Sequence, residues 1–163
     1  MERLWSPWRL AYVTGTSEAH GCVFCEAQAN EDAAPLVLFH GDACYVILNL
    51  YPYNNGHLMV VPRRHVATLA QCTAAELAEM MELTRRAEIA LTEAYRPQGL
   101  NVGINIGRSA GAGVVDHVHI HAVPRWTGDT NFMSVVGQVR VLPEELQETA
   151  RRLRPIFERL SEG

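Results

Sequence analysis

The sequence predicts an α+β domain: an antiparallel sheet of about five strands with a long helix and a C-terminal helix. Three observations predict it. Short apolar runs recur between turn residues, as strands joined by short connections do. A capping box opens one long stretch of helical period. The helical patterns are segregated instead of following every strand, which argues against a parallel sheet.

Taken in order, Leu36 to Phe39 and Cys44 to Leu48 flank Gly41-Asp42, a dipeptide suited to the tight turn of a hairpin. Tyr51 to Gly56 (YPYNNG) reads as a loop and His57 to Pro62 (HLMVVP) as a third strand. Thr73-Ala-Ala-Glu76 is the capping box. Leu77, Met80, Met81, Thr84, Ala87, Leu91 and Ala94 then fall on one helical face. That helix should end near Tyr95, because the residue before Pro97 is pushed out of the helical region. Leu100 to Ile106 (LNVGINI) alternates as a strand, and Gly107 to Gly113 (GRSAGAG) is a loop of small residues. Val114 to Val123 has the period of a strand, and a last helix is expected from about Pro143 to Leu160. Residues 1–20 read as an irregular arm whose Trp5 and Trp8 pack on the body. Residues 21–126 form the core and 127–163 an extension carrying the last helix, all in one domain.

Composition removes several functions. The chain has 163 residues, 48% apolar and 20% charged, with a net charge of −4. A broad nucleic-acid surface or membrane attraction would call for the opposite sign of charge. All 14 basic residues are Arg. A Schiff-base lysine, a Walker-type phosphate lysine and a Ser-Lys dyad are therefore excluded. The N-terminus, MERLWSPWRLAYV, lacks the apolar run of a signal peptide or membrane span, so a cytoplasmic protein is expected. Four cysteines in that compartment read as thiols or metal ligands, not disulfides.

Chemistry concentrates at DHVHIHAVPRW, residues 116–126. In a strand, successive side chains face opposite ways, so His117, His119 and His121 share one face at roughly 7 Å intervals. Val118, Ile120 and Ala122 share the other face and should be buried. Packing explains the apolar side but not three imidazoles in phase. Neutral histidine near pH 7 can serve as nucleophile, base or metal ligand. The preceding loop adds to this. Gly107, Ser109, Gly111 and Gly113 permit close approach of a ligand, and backbone N–H groups with the Ser109 hydroxyl can donate to a phosphate. Asn105 can orient a substrate or a histidine.

His117-Val-His-Ile-His121-Ala-Val resembles the motif of the histidine triad (HIT) family, three histidines alternating with apolar residues. The resemblance runs over about residues 20–126 and includes Asn49, His57 after Gly56, Asn105, the Gly/Ser loop and Pro124-Arg125. NLYPYNNGHLMVVP, NVGINIG and VPRWTGDTNF are most similar to the bacterial diadenosine tetraphosphate phosphorylase branch, which extends the match into the tail.

The resemblance implies the HIT-like fold and a mechanism. His119 would attack the α-phosphorus of a dinucleoside polyphosphate and form a nucleotidyl-imidazole, splitting one hard displacement into two easier ones. Phosphate as second nucleophile would release ADP after ATP has left; water would make the protein a hydrolase of the same substrates or of adenosine phosphoramidates. His121 and His57 would contact the phosphate oxygens, a backbone carbonyl would set the His119 tautomer, Ser109 and Gly111 would hold phosphate, and Asn49, with Leu50 beside it, would face the nucleoside. One departure stands out. Many family members carry a Gln-Ser pair ahead of the first histidine, where this chain has Gly113-Val-Val-Asp116. Help to the leaving group would then fall to Ser109 or the loop backbone. Asp116 should point away from the histidines by strand alternation.

Cys22-Val-Phe-Cys25 is a C-x-x-C pair, which needs two more ligands to close a zinc site. Relatives with this pair use the histidine of a Pro-x-x-His segment and the first triad histidine, which are His65 and His117 here. That implies a structural zinc; His20 is a rival ligand, and Cys44 and Cys72 read as buried thiols. No organic cofactor is expected. The expected partners are an adenine or purine nucleotide and inorganic phosphate, without nucleic acid or membrane, and the family suggests a two-fold homodimer in which the C-terminal segment, with Trp126 and Phe132, contributes to the neighbouring subunit's site. Two other readings stay open: a zinc hydrolase with His119 and His121 as ligands, and a nucleotide-binding module with little turnover.

Overall fold

The computed structural model describes residues 21–29, 35–129 and 144–162. Trp5, Trp8, His20, Phe132 and Pro143 lie outside the described residues. The elements are α1 (Val23–Ala29), β1 (Val37–His40), β2 (Cys44–Leu48), β3 (Leu58–Pro62), α2 (Ala74–Tyr95), β4 (Gly99–Ile104), β5 (Ile120–Arg125) and α3 (Leu146–Ser161). The five strands form one sheet in the order β1-β2-β3-β5-β4, every neighbour antiparallel. The α+β antiparallel class is therefore correct.

Gly41 turns β1 into β2, with its N–H on the Cys44 carbonyl. The Glu79 carboxylate of α2 caps this turn by accepting from the N–H groups of Asp42 at 2.8 Å and Ala43 at 2.6 Å. A Cβ at Gly41 would displace that carboxylate from the turn. Every residue of β2 and β3 is buried, because both faces of the central sheet are covered. Val46, Leu48, Leu58, Val60, Ile120 and Ala122 face α2 and α3, meeting Met80, Leu83, Ala87, Leu91, Leu153 and Phe157. On the opposite face Tyr45, Ile47, Met59 and Val61 form a smaller core with Phe24 of α1.

Helix α2 begins as the sequence says: Thr73 Oγ1 accepts from Glu76 N–H, and the Glu76 carboxylate accepts from Thr73 N–H. It ends at Tyr95, with Arg96 left-handed at φ 47° ahead of Pro97. Its buried stripe is rotated from the expected one. Leu83 and Ala90 are buried, whereas Leu77 and Met81 are exposed; the apolar spacing fitted two neighbouring stripes, and the sheet took the one centred on Met80, Thr84 and Ala87. Helix α3 starts at Leu146, later than expected, with Glu145 as N-cap. Pro155 lies inside it and has no N–H for the Arg151 carbonyl. Leu153 and Phe157, fully buried on either side, hold the helix through the gap. Arg154 ties α3 to the sheet edge by donating to the Val37 carbonyl at 3.0 Å.

Two further corrections concern the histidine segment and a thiol. β5 starts at Ile120, so residues 114–119 are a turn and an extended lead-in instead of strand. Asp116 sits exposed in that turn, and strand alternation does not apply to it. Cys44 is buried, but Cys72 is only partly so. Among the described residues no helix is long and apolar enough to cross a membrane.

Candidate active site and metal centre

The β3–β5 pairing sets Met59 opposite His121, and so puts His121 on the face of the sheet that α1 covers. The lead-in to β5 brings His119 onto the same side, its ring 4.7 Å from that of His121. His57 enters from the start of β3, with its ring 5.2 Å from His121. Phe24 closes the site from α1, 4.9 Å from the His119 ring and 5.4 Å from the His117 ring.

Hydrogen bonds to obligatory donors and acceptors fix where the protons sit. His119 Nδ1 lies 2.8 Å from the His117 carbonyl. A carbonyl only accepts, so Nδ1 carries the proton and the lone pair is on Nε2. Burial holds this imidazole below the ordinary histidine range, partly offset by that bond. The second pair is ordered from the other end. Tyr53 N–H donates to His57 Nδ1 at 3.1 Å, which places the His57 proton on Nε2. That Nε2–H faces His121 Nδ1 at 3.0 Å and donates to it. In its neutral form His121 then carries its own proton on Nε2. The arrangement thus holds a buried nucleophilic nitrogen beside an imidazole arranged as a donor.

Asn49 sits at the edge of this group. Its Oδ1 accepts from Tyr51 N–H at 2.8 Å, and its amide nitrogen lies 3.6 Å from Met59 Sδ. Leu50 is 57% exposed. Ile104 pairs with Ile120, so β4 leaves the sheet at the histidine end and Asn105 leads the glycine loop away from there. That loop is a tight turn: Gly107 and Gly111 have φ of 83° and 85°, and Gly111 N–H is spent on the Arg108 carbonyl at 3.0 Å. Ser109 is exposed at its tip.

A second cluster adjoins the first. The ligand atoms of Cys22, Cys25, His65 and His117 all lie within 4.8 Å of one another. Cys22 Sγ is 3.3 Å and Cys25 Sγ 3.7 Å from His117 Nδ1, and Cys25 Sγ is 3.4 Å from His65 Nδ1. Tetrahedral zinc with ordinary bond lengths separates a sulfur and a nitrogen ligand by about 3.6 Å. His117 Nε2 donates to the Pro62 carbonyl at 2.8 Å, which leaves Nδ1 bare toward the cysteines. A carbonyl behind a ligating histidine is the usual outer support of such a site. Burial and the neighbouring Cys22 push the Cys25 thiol up, a cost that a bound dication reverses. The four residues fit zinc.

A sequence model of the HIT domain matches residues 30–128. The chain belongs to the HIT family. An AP-4-A phosphorylase of Mycobacterium tuberculosis is 42% identical over 161 residues, covering 94% of this chain and 83% of that protein. A bis(5'-adenosyl)-triphosphatase of Dictyostelium discoideum is 28% identical, over 75% of this chain and 85% of that protein. A solved zinc-bound histidine triad family protein from Mycobacterium smegmatis superposes with a TM-score of 0.70 at 30% identity, covering 87% of this chain and 96% of that one.

Within this HIT domain, sequence reasoning missed Phe24 and Tyr53. Phe24 is a spacer of the C-x-x-C pair, and spacers carry no motif signal. Tyr53 acts through its backbone N–H, which no side-chain pattern reveals.

Proposed function

We propose that this HIT protein transfers a nucleotidyl group from diadenosine tetraphosphate to inorganic phosphate, giving ATP and ADP. The observation that carries it is His119: buried, with Nδ1–H on the His117 carbonyl and its Nε2 lone pair beside the His57–His121 pair. Nε2 attacks the α-phosphorus, and the bond from that phosphorus to the bridging oxygen breaks as ATP leaves. A phosphate oxygen then attacks the same phosphorus, the P–N bond breaks, and ADP departs. Such transfers rest on positioning and charge stabilisation more than on strong bases. His121 donates its Nε2–H to the phosphate oxygens, and His57 spends its one N–H on His121 and so holds it in that tautomer. Ser109 holds phosphate and assists the leaving group in place of the missing glutamine, and Asn49, Leu50 and Asn105 position the nucleoside. Gly107 and Gly111 give the loop its tight shape.

Zinc held by Cys22, Cys25, His65 and His117 is structural in this reading, since four protein ligands leave no open position. No organic cofactor is required. Reduced cysteines suit a cytoplasmic setting. A homodimer is proposed with it: β4 is an edge strand, and Val102 on it is 52% exposed.

Hydrolysis is the second reading, favoured by the similarity to the Dictyostelium protein. The deciding experiment is incubation with diadenosine tetraphosphate, with and without phosphate, followed by product analysis. ATP plus ADP formed only with phosphate supports the phosphorylase. ATP plus AMP without it supports the hydrolase, and nucleotide binding without turnover would leave only a binding module.

A further inference from the structure

We propose that Asn54, Asp129 and Arg125 form a brace that positions His57, and through it His121, for the transfer step; this rests on the proposed function. Two of the contacts that fix His57 come from adjacent residues of the YPYNNG loop. Tyr53 N–H sets the His57 tautomer, and the Asn54 carbonyl accepts from His57 N–H at 3.1 Å. The loop is held from the far side. Asn54 Nδ2 donates to the Pro124 carbonyl and to Asp129 Oδ2, both at 2.8 Å. Carbonyl and carboxylate only accept, so both amide protons are committed and the amide has one orientation.

Asp129 is itself fixed. Arg125 grips it as a fork, Nε to Oδ2 at 2.6 Å and a terminal nitrogen to Oδ1 at 2.8 Å, and Trp126 N–H adds a bond to Oδ2 at 3.2 Å. Arg125 also donates to Asn101 of β4 at 2.7 Å. A forked guanidinium–carboxylate pair adds geometric specificity as well as energy. The Arg125 guanidinium holds the Asp129 carboxyl well below the usual carboxylate range, so the brace stays charged. Gly56, at φ 77° and close against Leu91 and Pro124, lets the loop lie this near. The short turn after β5 therefore governs a histidine 72 positions earlier in the chain (129 − 57).

Asn54, Asp129 and Arg125 are positioning residues, and the test reads more than stability. Asn54→Ala, Asp129→Ala and the double variant are compared with the native protein for kcat, KM, melting temperature and the imidazole nitrogen NMR of His57 and His121. With the brace, kcat falls about 10–100-fold in each single variant while KM stays near native, as small misplacements of reacting groups do. The double variant is no slower than the slower single, and the His57 nitrogens move from one tautomer toward a mixture. The proposal is overturned if kcat stays within about twofold of native, the scale of ordinary surface substitutions. It is also overturned if the two losses multiply or the His57 nitrogens do not move. The NMR reading uses no substrate. A native protein that turns over no dinucleotide would therefore defeat the proposed function while His57 still reports on the brace.

Discussion

The Nδ1–H of His119 is bonded to the carbonyl of His117, and burial disfavours protonating the other nitrogen. The two effects give one atom, Nε2, a lone pair near neutral pH. His119→Ala removes that atom and leaves Cys22, Cys25, His65 and His117 in place. Turnover should fall at least about ten-thousand-fold, as loss of a nucleophile does elsewhere, while metal content and nucleotide binding persist. Loss of metal along with activity would point instead to a hydrolytic metal held by His119 and His121. At this scale the sequence was informative because side-chain identity carries the signal. The spacing of the three histidines was visible, and so was the C-x-x-C pair. The different hydrogen bonding of His117 and His119 was not visible in the spacing. It depends on Pro62 and His117 carbonyls, which every sequence contains everywhere.

Elements are where period and burial part company. Period two ran from Val114 to Val123, yet pairing starts only at Ile120: β4 ends opposite it at Ile104, and the Val118 N–H bonds the Val66 carbonyl instead of a strand. The start of α2 was legible because a capping box is a local chemical signal, and here it has a third member. Arg64 donates to both Glu76 oxygens at 2.9 and 2.8 Å. The Arg64 bond, then the Thr73 backbone bond, lowers the Glu76 carboxyl from 4.5 to about 2. A carboxyl depressed in the folded state stabilises fully above its unfolded value, and that contribution fades as pH falls through the folded one. Glu76→Gln keeps a capping-box acceptor but loses the charged pair with Arg64, and should therefore destabilise the protein near pH 7 by up to about 1 kcal/mol. The gap to native should shrink between about pH 4.5 and 2. Denaturant unfolding of both proteins across that range checks the sign; a gap that widens on acidification would mean Glu76 is not charged and capped as described.

At the scale of the molecule, the small core under α1 lies between the Cys22–Cys25–His65–His117 cluster and the proposed reacting histidines. Helix α1 carries Phe24 of that core and Cys25 of the cluster, and spans only Val23–Ala29. So short a helix has little stability of its own in water. Tyr45 OH donates to the Phe24 carbonyl at 2.7 Å, and Gln28 reaches the Arg63 carbonyl at 2.5 Å. Those two bonds and one buried ring are modest support for a segment that closes over His119. The proposed zinc would supply the rest, since binding energy at a site formed only on folding is folding energy. It would also grip His117, whose carbonyl sets the His119 tautomer. Cys22→Ser should therefore lower both the metal content and the melting temperature, the latter by about 3 °C for each kcal/mol lost in a chain of this size. Turnover should fall as well, although Cys22 touches no reacting atom. Atomic absorption on the purified protein, thermal unfolding and kcat decide it together. A variant that loses its metal yet melts and turns over like native would separate the cluster from the site and leave Phe24 packing as the only link between them.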